Sequence, residues 1–99
     1  MSFAFWKMHG AGNDFIIIDD REKTFPADNR ARIQSLSTRR RGIGADGVVL
    51  IQPSDTGDVR MRFFNPDGHE AELCGNAARC MARLAHERGA APREMLIET

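Results

Sequence analysis

The sequence lacks any hydrophobic run long enough to cross a membrane. No apolar stretch exceeds four residues, as in Phe15 to Ile18, whereas a transmembrane helix needs about 20. Residues 1–10 also lack the basic start and unbroken apolar run of a secretory signal, because apolar side chains there alternate with Lys7 and His9. We therefore expect no membrane partner and a cytoplasmic location.

An excess of charge of either sign is also missing. Fourteen Lys and Arg residues balance fourteen Asp and Glu residues, so the chain has no field that would attract a polyanion, and we expect no nucleic acid partner. The arginine cluster at 39–41 is interpreted as the basic end of a helix that contains Ile33 and Leu36. The alternative is a polyanion-binding patch, which is disfavoured because no aromatic side chains are interleaved with the arginines.

Cysteines are few, and their spacing excludes two common uses. Cys74 and Cys80 lie six positions apart, which fits neither the short spacing of zinc ligands nor a secreted disulfide framework. We therefore predict no metal site, and any role of these cysteines must come from thiol reactivity.

What is present indicates one globular α+β domain. The 99 residues are 41% hydrophobic and 28% charged, a composition typical of a folded protein with a single core. The pattern predicts strands at 15–18, 48–51 and 59–63, a type I turn at 65–68 with a return strand at 69–73, a helix from Asn76 stopped by Gly89, and an extended run at 96–99. Strands and helices do not alternate regularly, so we expect a mixed sheet around a helix. Because the last extended run has no later partner strand, the chain is interpreted as a fragment.

Three glycines match the spacing of a dinucleotide-binding motif but in the wrong context. Gly42, Gly44 and Gly47 follow helix-like residues and precede a strand, whereas the motif requires a strand before it and a helix after it. A tight helix-to-strand turn is the better interpretation.

Cys74 directly precedes a predicted helix. Free N–H groups and the helix dipole at such a position favour an anion, so they lower a thiol pKa from about 8.5 and can also bind a carboxylate. Gly75 permits close approach of a ligand, and Asn76 offers both a donor and an acceptor. The alternative is an inert cysteine at a helix start. Cys80 falls on the apolar face of the helix and is predicted to pack in the core.

Four segments in this order resemble the diaminopimelate epimerase family: KMHGAGNDF (7–15), GIGADG (42–47), FNPDG (64–68) and CGNAARC (74–80). The resemblance implies two pseudo-symmetric α/β halves, each a curled sheet around a central helix, with the active site between them. Residues 1–99 then correspond to an incomplete N-terminal half-domain, and the C-terminal half is absent from this chain.

The same resemblance implies a function. Family members invert LL-diaminopimelate to the meso form without pyridoxal phosphate or another cofactor, in lysine and peptidoglycan precursor synthesis, and a homodimer is possible. Cys74 resembles the first catalytic cysteine, and its partner lies in the C-terminal half. Asn13, Asn65, Gly75 and Asn76 resemble substrate-binding residues; from the sequence alone, Asn13 and Asn65 have ordinary loop and turn roles.

One position departs from the family, and two other functions remain open. Some members carry Gln where Gly47 stands, and the Gln side chain contacts substrate. The resemblance therefore implies that this contact is missing here or is supplied by another group. The alternatives are another cofactor-independent amino-acid racemase of the same fold, or a binding or structural module that never turns over substrate. With only one catalytic cysteine, the 99-residue chain alone is expected to be inactive.

Overall fold

A six-stranded mixed sheet with two helices forms the fold. The computed structural model describes residues 4–10, 12–39, 42–72 and 75–99. The strands are β1 (Trp6–Gly10), β2 (Asn13–Asp19), β3 (Gly47–Gln52), β4 (Val59–Phe64), β5 (Glu70–Ala71) and β6 (Ile97–Glu98), and the helices are α1 (Arg30–Ser37) and α2 (Gly75–Glu87). The predicted α+β class and mixed sheet are confirmed.

The strand order places the ends of several strands together. The order is β1-β2-β3-β4-β5, and β6 pairs with β4 in parallel. β2 and β3 are also parallel, joined through α1, whereas β1–β2, β3–β4 and β4–β5 are antiparallel. The end of β1, the starts of β2 and β3 and the end of β4 therefore lie at one end of the sheet. The partner of the predicted extended run at 96–99 is the earlier strand β4.

Each face of the central strands carries its own hydrophobic cluster, because successive side chains of a strand point to opposite faces. The cluster that contains α2 includes Phe15, Ile17, Val49, Ile51, Met61, Phe63, Met81 and Leu84. The other includes Ile16, Ile18, Val48, Leu50, Phe64 and Ile33 of α1. The middle segments of both central strands, 15–18 and 48–51, are consequently apolar at every position.

Helix α1 is shorter than the sequence predicted. Asn29 caps its start through a hydrogen bond from the Arg32 amide, and the helix ends at Ser37. The interpretation of the arginine cluster as the helix end is wrong for Arg39, which lies beyond the last helical turn; Arg40 and Arg41 fall outside the described residues. The hydroxyls of Ser37 and Thr38 donate to carbonyls of the last turn, so these carbonyls are satisfied without a basic side chain.

The glycine segment after α1 forms the predicted tight turn into a strand. Gly44 has a φ of +80°, and a Cβ added at Gly42 would lie 2.1 Å from the Ser35 carbonyl oxygen. The amides of Ile43 and Gly44 both donate to the Leu36 carbonyl. Glycine is therefore required by a left-handed backbone at one position and by close backbone approach at the other.

The hairpin and helix after β4 are also confirmed. The Gly68 amide donates to the Asn65 carbonyl (2.9 Å), but the return strand is only two residues long, and Leu73 falls outside the described residues. Helix α2 buries Ala77, Cys80, Met81, Leu84 and Ala85. No helix in the described ranges is long and apolar enough to span a membrane.

Candidate active site

Two of the predicted substrate-binding residues meet at one end of the sheet. Asn13 is the first residue of β2, and Asn76 is the second residue of α2. The Asn76 Nδ2 group donates to Asn13 Oδ1 at 3.1 Å across 63 positions of sequence. The glycine that ends β1 permits this close packing, because a Cβ at Gly10 would lie 3.0 Å from Cys80 Sγ and 3.6 Å from the Asn76 carbonyl oxygen.

A carboxylate lies behind this asparagine pair. The Asn13 Nδ2 group donates to Asp46 Oδ2 at 3.3 Å, and the same oxygen accepts the Asp14 amide at 3.0 Å. Asp46 directly precedes β3, so its position follows from the parallel pairing of β2 and β3. The amide groups of Asn13 and Asn76 are thus connected to the backbone of the sheet through one side chain.

Asp14 is the centre of an ion cluster next to the asparagines. Its carboxylate accepts two hydrogen bonds from the Arg39 guanidinium at 2.9 and 3.0 Å and lies 3.1 Å from Lys7 Nζ. Its Oδ1 also accepts the Asp46 amide at 3.2 Å. The hydrogen bonds from Arg39, followed by those from Lys7 and Asp46, hold the pKa of Asp14 far below its usual range. Asp14 is therefore ionised wherever the protein is folded near neutral pH.

Asn65 lies at the same end of the sheet but does not join the pair. It follows β4, whose last residue, Phe64, is paired with Val48 near the start of β3. The side chain is exposed, and the backbone forms the turn with Gly68 and His69. Among the described residues, no hydrogen bond connects the Asn65 side chain to Asn13 or Asn76.

Gly75 presents open space at the start of α2. It is exposed, and a Cβ added there would meet no heavy atom within 4 Å. The first amide groups of a helix have no partner within the helix, and no acidic residue lies in the first turn of α2. Cys74 falls outside the described residues. Cys80 is 6% exposed, which confirms its predicted place in the core.

Gly47, where some family members carry Gln, has little space for a side chain. A Cβ at Gly47 would lie 2.5 Å from the edge of the Phe63 ring and 3.1 Å from the Phe64 carbonyl oxygen. The Phe63 ring packs edge-on against Phe15, with ring centroids 6.1 Å apart. A larger side chain at position 47 would therefore require Phe63 to move.

One cavity lies outside the candidate site, and the described residues form no metal site. An open cavity of about 720 Å³ beside β4 is lined by Arg60, Met61, Phe63, Glu70, Ala71, Glu72 and Thr99, none of which is a predicted site residue. In the part of the chain that the structure describes, no three His, Cys, Asp or Glu side chains are grouped to hold a metal ion.

Sequence comparison decides the family. The family profile described as diaminopimelate epimerase matches residues 5–99. The chain belongs to the diaminopimelate epimerase family. It is 50% identical over 96 residues to the diaminopimelate epimerase of Desulforudis audaxviator, covering 96% of this chain and 34% of that protein. It is 54% identical over 86 residues to that of Pelotomaculum thermopropionicum, covering 86% of this chain and 31% of that protein.

The chain spans about a third of the length of these epimerases. A crystal structure of the Bacillus anthracis phenazine biosynthesis protein of the PhzF family matches 98% of this chain and 31% of its own chain, with a TM-score of 0.67 and 23% identity. At this identity the likeness shows that the fold is shared.

The ion cluster behind the asparagines is the part of the site that sequence reasoning missed. Lys7, Asp14 and Asp46 lie inside two of the segments that carry the resemblance to epimerases, at 7–15 and 42–47, so the signal was present but not assigned a role. Arg39 gave no such signal, because its position next to a run of helical residues favoured a helix end.

Proposed function

We propose that this chain is the N-terminal part of an epimerase that converts LL-diaminopimelate to meso-diaminopimelate, with Cys74 as one of two acid/base groups. The observation that carries the proposal is the contact between Asn13 and Asn76. It sets two amide side chains beside the start of α2, and Cys74 directly precedes that helix in sequence. The C-terminal part of the same enzyme would supply the second thiol and the other wall of the site.

The reaction requires proton transfer on both faces of one carbon. A thiolate removes the α-proton, which breaks one C–H bond and forms one S–H bond, and a second thiol returns a proton to the opposite face. Atoms and electrons balance without a redox step. Cys80 does not serve as the second group, because it is buried on the core face of α2.

The described residues suit recognition of an amino acid. After the bonds within the pair are counted, Asn13 retains one N–H and one acceptor position, and Asn76 retains an N–H and its carbonyl oxygen. These groups complement a carboxylate and an ammonium. The first-turn amides of α2 are further donors for a carboxylate, and they stabilise the negative charge that spreads onto the carboxylate oxygens when the proton leaves.

The two cysteines provide a matched test of this function. The complete enzyme is incubated with LL-diaminopimelate in D₂O, and deuterium at the α-carbon and formation of the meso isomer are measured. Cys74→Ser should lower kcat by about 10²- to 10⁴-fold, because it removes an acid/base group. Cys80→Ala should retain activity. Absence of inversion by the unmodified enzyme, or full activity of Cys74→Ser, would disprove the proposal.

Gly75 tests the approach of substrate to the start of α2. Gly75→Ala adds a methyl group in open space and favours the helix, so the folded state should be as stable as before or slightly more stable. If a carboxylate approaches the backbone here, the methyl group should lower kcat/KM by roughly 10- to 100-fold. Thermal unfolding of the same variant is the control. Unchanged kinetics would place the substrate elsewhere.

A further inference from the structure

The Asp46 carboxylate determines which way two amide groups face. An amide side chain has a donor end and an acceptor end of nearly equal shape, whereas a carboxylate only accepts. Asp46 Oδ2 lies 3.3 Å from the amide nitrogen of Asn13. Asn13 must therefore direct its NH₂ group towards Asp46 and its oxygen away from it.

The orientation is passed on to the second asparagine. Because the Asn13 oxygen faces Asn76, the Asn76 side chain must direct its own NH₂ group back towards Asn13, as its 3.1 Å hydrogen bond shows. The free donor and acceptor positions of both amides are then fixed in space by a single acceptor. If either amide rotated by 180°, it would present an acceptor where a donor had been.

Asp46 is itself fixed by the ends of β2 and β3. Its Oδ2 accepts the Asp14 amide at 3.0 Å, and its own amide donates to the Asp14 backbone oxygen at 2.8 Å. Arg39 contacts Asp46 Oδ1 at 3.3 Å, but the Arg39 side chain is 58% exposed. The backbone bonds therefore position the carboxylate more firmly than the ion pair does.

We propose that Asp46 is a positioning residue for amino-acid recognition, acting through the orientation of the Asn13 and Asn76 amides. This inference rests on the proposed function, in which these two amides bind the substrate. Asp46 does not touch the substrate. Its loss should weaken ground-state and transition-state binding alike, so it should raise KM more than it lowers kcat.

Three substitutions in the complete enzyme separate the acceptor from the charge. Asp46→Ala removes the acceptor and should raise KM about tenfold, with a smaller change in kcat. Asp46→Asn keeps a carbonyl oxygen for the Asp14 amide and for Asn13, so KM should stay within about threefold of the original value. Asp58→Ala is the matched control, because Asp58 also directly precedes a strand and accepts a backbone amide, that of Leu96 at 2.7 Å. It should leave KM unchanged.

Nuclear magnetic resonance gives a readout that needs no activity. In the unmodified ¹⁵N-labelled protein, one side-chain amide proton of Asn13 and one of Asn76 should exchange with D₂O more slowly than those of exposed Asn65. In Asp46→Ala the protection should be lost at both residues. If the unmodified enzyme inverts no diaminopimelate, the proposed function fails, but the orientation of the amides is still tested by this measurement.

Either method can overturn the inference. Equal impairment of Asp46→Asn and Asp46→Ala would show that charge, rather than an acceptor, is required. An unchanged KM in folded Asp46→Ala would show that amide orientation does not depend on Asp46. If Asp46→Ala does not fold, unprotected Asn13 and Asn76 side-chain amides in the unmodified protein would overturn the inference without any variant.

Discussion

Asp14 connects the pairing of the central strands to the candidate site. Its carboxylate accepts hydrogen bonds from Arg39 and from the Asp46 amide, and its backbone amide donates to Asp46. These bonds favour the ionised form, so the pKa of Asp14 is lower in the folded chain than in the unfolded chain. The carboxylate therefore makes the stability of the protein depend on pH.

We expect Asp14→Asn to reduce the free energy of unfolding at pH 7 by about 1 to 2 kcal/mol. Because the folded pKa is depressed, the contribution of Asp14 is present above its unfolded value of about 3.9 and is lost as the pH falls below it. The difference between the two proteins should therefore narrow from pH 5 to pH 3. Urea unfolding at a series of pH values measures it.

Asp55→Asn is the control for this experiment. Asp55 is an exposed carboxylate in the loop between β3 and β4, and its replacement should change stability by less than about 0.5 kcal/mol. A stability difference between Asp14→Asn and the unmodified protein that stays constant from pH 7 to pH 3 would contradict the assignment of the effect to ionisation of Asp14.

At the scale of elements, α2 couples the core to the site. Its buried face packs on the sheet while its first residues lie beside Asn13. Its other end is closed by two hydrogen bonds, from the Ala90 amide to the Ala85 carbonyl at 2.8 Å and from the Gly89 amide to the His86 carbonyl at 3.1 Å. This is a Schellman motif, with Gly89 in the left-handed region at a φ of +73°.

Gly89→Ala should destabilise the protein by about 1 kcal/mol, because an alanine at positive φ is strained. A Cβ there would meet no heavy atom within 4 Å, so backbone strain is the only source of the loss. Gly89→Asn should be milder, since asparagine tolerates this conformation. Thermal unfolding distinguishes the two, and equal stability of all three proteins would contradict the role of the motif.

Most helices and strands were predictable from the sequence, whereas the order of the strands in the sheet was not. Apolar runs located β2 and β3, period-two alternation at 59–63 located β4, and helical spacing with Gly89 located α2. Strand order was not predictable, because β2 and β3 are buried on both faces and their pattern does not indicate which strand lies beside them. The parallel pairing of the short strand β6 with β4 likewise depends on tertiary structure.

The residue types of the candidate site were predictable from the sequence, whereas contacts between residues far apart in the sequence were not. Asn13, Gly75 and Asn76 could be proposed as site residues, because the residue types and the segments that contain them are specific. The contacts of Asp14 with Arg39 and Asp46 join positions 25 and 32 residues apart. Charged residues at such separations carry no periodic signal, and Arg39 was interpreted as part of a helix end because only local sequence could be considered.

At the scale of the whole molecule, we expect the purified 99-residue chain to be inactive. A single thiol can remove a proton from one face but cannot deliver one to the other, so the chain should form no meso-diaminopimelate from the LL isomer. Mass spectrometry of substrate incubated in D₂O, with analysis of its stereochemistry, measures this. Turnover by this chain alone would contradict the need for a second part of the enzyme.

Two aspartates, Asp14 near the start of β2 and Asp20 directly after its end, also favour a single alignment of β2 with β3. A strand that is apolar on both faces could shift its register along its neighbour with little loss of hydrophobic burial, because apolar side chains would still pack against apolar side chains. Asp14 exchanges bonds with Asp46 at one end of β2, and Asp20 accepts the Gln52 amide group at 2.8 Å at the other. Any shifted alignment would leave these buried polar groups without hydrogen-bond partners. A misaligned pair of strands is therefore destabilised at both ends, and polar contacts rather than hydrophobic burial select the native register.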